Sequence, residues 1–253
     1  MRIIENVFEA ISSRLLPSAC IVCGEFQQRS LCLDCSTILE SEHLLHYECC
    51  KQCGITLQAN ELRERYCREC ELNPPHFDET HCLDRYDGKL QSALHQLKYQ
   101  GRLACTHGLA SAWNALLSKG SMTTHADYLL PVPLSREKLC ARGFNQSWEL
   151  ARRIHCGKHI HKNPYILQRH HHPQNQAKGG RADRHISIQD MFYINPQYQG
   201  RLESTRVIVF DDVMTSGATL NEIARVLKDN GVSRVINWVL LRTLRPSQRS
   251  EHV

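Results

Sequence analysis

In Val207-Ile208-Val209-Phe210-Asp211-Asp212-Val213-Met214-Thr215-Ser216-Gly217-Ala218-Thr219-Leu220 an unbroken apolar run meets two carboxylates, then a string of small hydroxylated residues. Four consecutive apolar residues suit a central strand of a parallel sheet, buried on both faces. Asp211 and Asp212 then fall at the strand's carboxyl edge, where open α/β sheets bind ligands. Thr215, Ser216, Gly217, Ala218 and Thr219 open a helix that runs from about Ala218 to Asn230 and stops at Gly231. Unpaired N–H groups at such a helix start, backed by the helix dipole, form an anion site. Gly217 permits close backbone approach, and the hydroxyls of Thr215, Ser216 and Thr219 add donors. Outward from this unit the pattern keeps alternating. Strands are predicted near His81–Tyr86, Tyr128–Pro133 and Val235–Leu241, and helices over Lys89–Tyr99, Leu103–Leu117 and Arg142–Ile154. The fold class is α/β, a mostly parallel sheet flanked by helices.

An acidic pair beside an anion cradle needs a ligand that also presents vicinal hydroxyls or a bound Mg²⁺. A 5-phosphoribose supplies both. The order of apolar strand, two aspartates and Thr-Ser-Gly-Ala-Thr resembles the signature of type I phosphoribosyltransferases, which implies phosphoribosyl diphosphate (PRPP) with Mg²⁺ as the ligand. Candidates for the diphosphate lie on neighbouring segments. Lys98 sits in Leu97-Lys98-Tyr99-Gln100-Gly101, where it also complements a helix dipole. Arg142 and Gly143 open Arg142-Gly143-Phe144-Asn145-Gln146. Lys178, Arg181 and Arg184 belong to the long polar stretch Arg169–Phe192, read as a lid; its triplet His170-His171-His172 reads as solvated loop rather than metal site.

Nine of the 13 cysteines lie between Cys20 and Cys70. Cys20/Cys23, Cys32/Cys35, Cys50/Cys53 and Cys67/Cys70 form four CxxC pairs, the spacing of closed structural Zn²⁺ sites. Two zinc ions in consecutive ribbons are the preferred arrangement, and spacing alone leaves interleaved pairing open. Cys49 can substitute or stay free. No run approaches the roughly 18 apolar residues of a membrane span, and Glu5, Asn6 and Glu9 break any signal-peptide core. The expectation is a cytoplasmic protein, with the amphipathic start (Ile3, Ile4, Val7, Phe8, Ile11, Leu15) leaving peripheral association at the inner membrane face as a lesser option. The net charge of +5 is mild, but Arg152–Arg184 concentrates eight cations against Asp183 alone, a surface suited to a polyanion.

Taken in order, the double CxxC region, Leu97–Gly101, Pro131-Val132-Pro133, Arg142–Gln146 and Asp211–Thr219 make the chain similar to the ComF family of competence-related, phosphoribosyltransferase-like proteins. The resemblance implies a double zinc ribbon, here over 17–75, on a type I phosphoribosyltransferase-like domain over 76–245; the apolar spacing adds an amphipathic helix over residues 1–16, and 246–253 is expected to be a flexible tail. The resemblance also implies ribose hydroxyls on Asp211 and Asp212, the 5-phosphate on Thr215–Thr219, and a role in taking up or using external DNA, with single-stranded DNA and competence-machinery proteins as partners. Tyr66, Phe144 and Trp148 are the candidate stacking groups. The alternative is a working Mg²⁺-dependent transferase that passes the phosphoribosyl group of PRPP to a nucleobase-like acceptor and releases diphosphate; no residue is marked as its catalytic base.

Overall fold

The computed structural model describes residues 18–42, 48–118, 125–170 and 190–243. The expected N-terminal helix, most of the lid and the C-terminal tail lie outside them. Two short strands, β1 (Ser18–Ala19) and β2 (Phe26–Gln27), pair antiparallel around the first CxxC turn, and α1 (Leu33–Glu42) follows. The second ribbon closes on α2 (Arg68–Leu72). Then come β3 (Glu79–Arg85), α3 (Gln91–Gln100), α4 (Cys105–Ser118), β4 (Tyr128–Pro131), α5 (Arg136–Arg142) and α6 (Gln146–Ala151). The chain continues through β5 (His161–Lys162), β6 (Leu167–Arg169), β7 (Phe192–Ile194), β8 (Arg206–Met214), α7 (Ala218–Asp229) and β9 (Arg234–Arg242).

Five strands form one sheet in the order β3-β9-β8-β4-β5, and every pairing in it is parallel. β8 is central because both its faces are apolar: Val207, Ile208, Val209 and Phe210 are fully buried. Successive side chains point to opposite faces, which splits the interior into two cores. Leu129, Ile208, Phe210, Ile236 and Trp238 pack with α3, α4 and α6. Leu130, Val207, Val209, Val235 and Val239 pack with α7 and the β6–β7 ribbon. Trp113 of α4 anchors the first core, edge-on to Phe210 at 5.9 Å and tilted against Trp238 at 5.6 Å. In α7, Leu220, Ile223, Ala224 and Leu227 recur at helical spacing and anchor the second core.

The two cysteine ribbons divide between these cores. Cys20, Cys32, Cys35 and Leu39 join the first, whereas Cys50, Cys53, Cys67 and Phe77 join the second. The first ribbon seats on α4 at Gly108, where a Cβ would lie 2.7 Å from Ile21 Cγ2 and 2.8 Å from the Ser30 carbonyl oxygen. The second runs beside the edge strand, with the Thr80 amide donating to the Lys51 carbonyl at 3.2 Å.

Three local readings change. The helix expected over Arg142–Ile154 is shorter at both ends: Arg142 closes α5, Gly143 follows it at φ 78°, and Asn145 caps α6 by accepting from the Ser147 and Trp148 amides at 2.9 and 3.3 Å. β8 continues past Phe210, since Asp211 pairs with Val239 and Val213 with Leu241. Arg169 and Phe192, expected as the ends of one long loop, are partners in an antiparallel pair.

Candidate functional site

Because β8 extends to Met214, Asp211 and Asp212 stand near its carboxyl end, where both reach groups on the helices of the first core. The Asp211 carboxylate accepts from Ser147 Oγ at 3.3 Å and from the Asp212 amide at 2.9 Å. Burial and then the neighbouring Asp212 charge push its carboxyl up to about 7. Asp212 is buried, and its Oδ1 lies 2.9 Å from Lys98 Nζ. Its Oδ2 is buried without a hydrogen-bond partner among the described residues. An acceptor of this kind is costly to leave unmet, and a ligand hydroxyl would supply the missing donor.

Beyond Met214 the chain turns through exposed Thr215 and Ser216 to Gly217, which has φ +84° and precedes α7. The turn is built for glycine, since a Cβ there would meet Met214 Cε at 2.5 Å. The first intrahelical bond runs from the Asn221 amide to the Gly217 carbonyl at 2.8 Å. The amides of Thr219 and Leu220 in the first turn therefore have no helical acceptor. Ser216 Oγ accepts from the Ala218 amide at 3.3 Å, which leaves its own proton to donate. These free donors would suit a phosphate-sized anion, beside two carboxylates.

The supporting segments converge on the acidic pair. Lys98, a diphosphate candidate in the sequence, is ion-paired to Asp212. Arg142 stacks 5.6 Å over the Tyr99 ring and donates to Gln146 Oε1 at 2.8 Å. Asn145 Nδ2 donates to the Val132 carbonyl at 3.0 Å, tying the Pro131-Val132-Pro133 turn to α6. Gly143 is exposed at the α5 end. Lys178, Arg181 and Arg184 lie outside the described residues. Ser147 was missed in sequence, although it directly follows Arg142–Gln146 in a segment already singled out.

The cationic stretch is partly spoken for. Arg152 and Arg153 both pair with Glu149, at 2.7 and 2.8 Å, and Lys162 is half-buried, donating to the Arg152 and Ile154 carbonyls. Phe144 and Trp148 pack against the first core, whereas Tyr66 is exposed.

The thiols gather in two consecutive tetrads, Cys20/Cys23/Cys32/Cys35 and Cys50/Cys53/Cys67/Cys70, with the ligand atoms of each within 4.8 Å of one another. A tetrahedron of about 2.3 Å Zn–S bonds has edges of about 3.8 Å. Cys23 and Cys32 sulfurs are 3.9 Å apart, and those of Cys53 and Cys67 are 3.6 Å apart. Both first pairs share one knuckle: the Gly24 and Gly54 amides donate to the Cys20 and Cys50 carbonyls, each at 2.9 Å. Glu61 pins the longer loop of the second tetrad by accepting from the Gln58 and Arg68 amides at 2.9 Å. The donor set fits a closed metal site with four sulfur ligands and no open position. Cys49 stands apart, its thiol pushed up to about 11 by burial.

No protein-family model matches the chain. Three curated proteins are similar over most of its length. The DNA utilization protein YhgH of Escherichia coli (strain K12) is 28% identical over 217 residues, covering 85% of this chain and 91% of that protein. Competence protein F of Haemophilus influenzae is 26% identical over 230 residues, with 88% and 96% covered. Competence protein ComFC of Bacillus subtilis is 24% identical over 242 residues, with 88% and 95% covered. These relatives support the ComF family. Among solved structures, an allosteric regulatory enzyme of purine biosynthesis overlaps 57% of this chain at 16% identity and a TM-score of 0.37. The chain spans 29% of that enzyme's length. A hypoxanthine phosphoribosyltransferase from Staphylococcus aureus overlaps 58% of this chain and 67% of its own, at 15% identity and a TM-score of 0.32.

Proposed function

We propose that the chain binds PRPP with Mg²⁺ on the β8–α7 turn and acts in the uptake or use of external DNA. The observation that carries the first part is the buried Asp212, whose Oδ2 lacks a donor, at the strand end that runs into the Thr215–Thr219 cradle. Asp211 and Asp212 would take the ribose hydroxyls, and the Ser216–Thr219 amides the 5-phosphate. Mg²⁺, when bound, would supply countercharge for the diphosphate, with Lys98 and Arg142 the described candidates to assist it. The two thiol tetrads would each hold a structural Zn²⁺. Support for the second part comes from the names of the relatives, one a DNA utilization protein and two competence proteins. In that role the phosphoribosyltransferase-like fold serves as a binding platform for work on single-stranded DNA in the cytoplasm.

Titration calorimetry with PRPP and Mg²⁺ on the wild type, Asp211→Ala and Asp212→Ala tests the ligand. Binding that disappears in both variants supports the assignment; equal binding in all three contradicts it. Fluorescence titration with labelled single-stranded DNA at rising salt tests the partner. Affinity should fall as salt rises, and should survive both aspartate substitutions if DNA and PRPP occupy separate surfaces.

A further inference from the structure

Arg242, the last residue of β9, is 5% exposed and reaches into both the second ribbon and the candidate phosphate loop. Its Nε donates to the Cys53 carbonyl at 3.0 Å. Its Nη1 donates to the Met214 carbonyl at 3.0 Å and to the Thr215 carbonyl. A further contact of 3.3 Å goes to the Thr243 carbonyl. Every one of these acceptors is a neutral peptide oxygen, and no carboxylate among the described residues forms an ion pair with Arg242. Guanidinium stays charged at any relevant pH, and a buried charge is ordinarily paired.

Two anions would flank this cation. Four thiolates around Zn²⁺ make a doubly negative cluster, and Cys53 is one of its ligands. On the other side lies the loop proposed to take the phosphate. A cavity of about 990 Å³ joins the two, lined by Cys53, Arg68, Thr215, Gly217 and Arg242 among others. By drawing the Met214 and Thr215 carbonyls toward itself, the guanidinium also fixes the peptide planes that lead into the Ser216–Thr219 amides. The first tetrad has no such connection: it packs in the other core, on the opposite face of the sheet.

We infer that Arg242 is a positioning residue that couples metal at Cys50/Cys53/Cys67/Cys70 to the order and anion affinity of the Thr215–Thr219 loop. This regulation rests on the PRPP reading of that loop for its ligand, though not for its mechanical part. Loss of the second metal would release the Cys53 knuckle, free the guanidinium and loosen the loop. Loss of the first would do neither.

The test uses full-length protein with Cys70→Ser to empty the second tetrad, Cys23→Ser to empty the first, and Arg242→Lys. Metal content is checked in each, and amide hydrogen exchange of residues 215–220 is followed without ligand. Exchange there should quicken about tenfold or more in Cys70→Ser and Arg242→Lys and stay unchanged in Cys23→Ser, a coupling within the ordinary allosteric range. PRPP affinity should weaken in the same two variants by a similar factor. Should Arg242→Lys fail to fold, mild chelation of Cys23→Ser, whose remaining metal sits at the second tetrad, strips that metal without touching the arginine and gives the same readout. Unchanged exchange in 215–220 after loss of the second metal, or equal changes on loss of either metal, overturns the coupling. Exchange that responds while the wild type gives no heat with PRPP leaves the coupling standing and removes the PRPP reading instead.

Discussion

Lys98 and Asp212 form a pair with little access to water, 15% and 6% exposed at their side chains. Breaking one partner of a buried pair leaves the other charge unsolvated. Lys98→Met is therefore expected to cost about 3 kcal/mol in urea unfolding, whether or not ligand is present. A variant of wild-type stability that has lost only PRPP affinity would instead make Lys98 a ligand group. Asp211 gives a pH signature. Its folded carboxyl is raised from 3.8 to about 7, so the unfolded chain ionises first as pH rises. Asp211 thus costs nothing below about pH 4, lowers stability progressively as pH climbs toward 7, and adds no further change above it. Ligand hydroxyls need the ionised acceptor, so PRPP affinity should rise with pH through about 7 and then level. Calorimetry from about pH 6 to 8 should show that rise in the wild type and a flat profile in Asp211→Asn. Ser147 and Arg242 were invisible at this scale in the sequence because their partners lie far along the chain. Ser147 meets Asp211, and Arg242 meets Cys53, across separations that no local pattern encodes.

At the scale of elements, the β8–α7 unit was the most legible part of the chain. Four buried apolar residues, two carboxylates and a glycine at positive φ are each set by local chemistry, and they fall where the pattern placed them. What the pattern missed was the strand's continuation through Asp211–Met214, which depends on β9 pairing alongside. The break between α5 and α6 was present in Gly143 and Asn145 as a stop and a cap, yet the surrounding apolar periodicity masked it. The Arg169–Phe192 pairing needed knowledge of which segments return to each other, and polar composition carries none. Gly217 gives the element-scale prediction. Gly217→Ala forces a Cβ into Met214 Cε and keeps a left-handed φ, a combined cost of about 1–2 kcal/mol. Thermal unfolding should show that loss, with PRPP affinity reduced tenfold or more. Retained affinity would mean the amide cradle is not the phosphate site.

For the molecule as a whole, the cysteine region serves two cores, one on each face of a single parallel sheet. Metal analysis should therefore find two zinc ions per chain, and Cys23→Ser and Cys70→Ser should each remove one. Gly108→Val, which places branched carbon against Ile21 and the Ser30 carbonyl, should dislodge the first ribbon and lower the unfolding temperature without changing PRPP affinity. The shared sheet explains how the acidic strand end, the Thr215–Thr219 turn and the second thiol tetrad come within reach of one another. The central claim is that the Asp211–Thr219 turn holds a phosphorylated ribose. Calorimetry of the wild type and Asp211→Ala/Asp212→Ala with PRPP and Mg²⁺ tests it most directly. One-to-one binding in the wild type and none in the folded double variant is the predicted result; undiminished binding in the double variant, or no binding in the wild type, contradicts it.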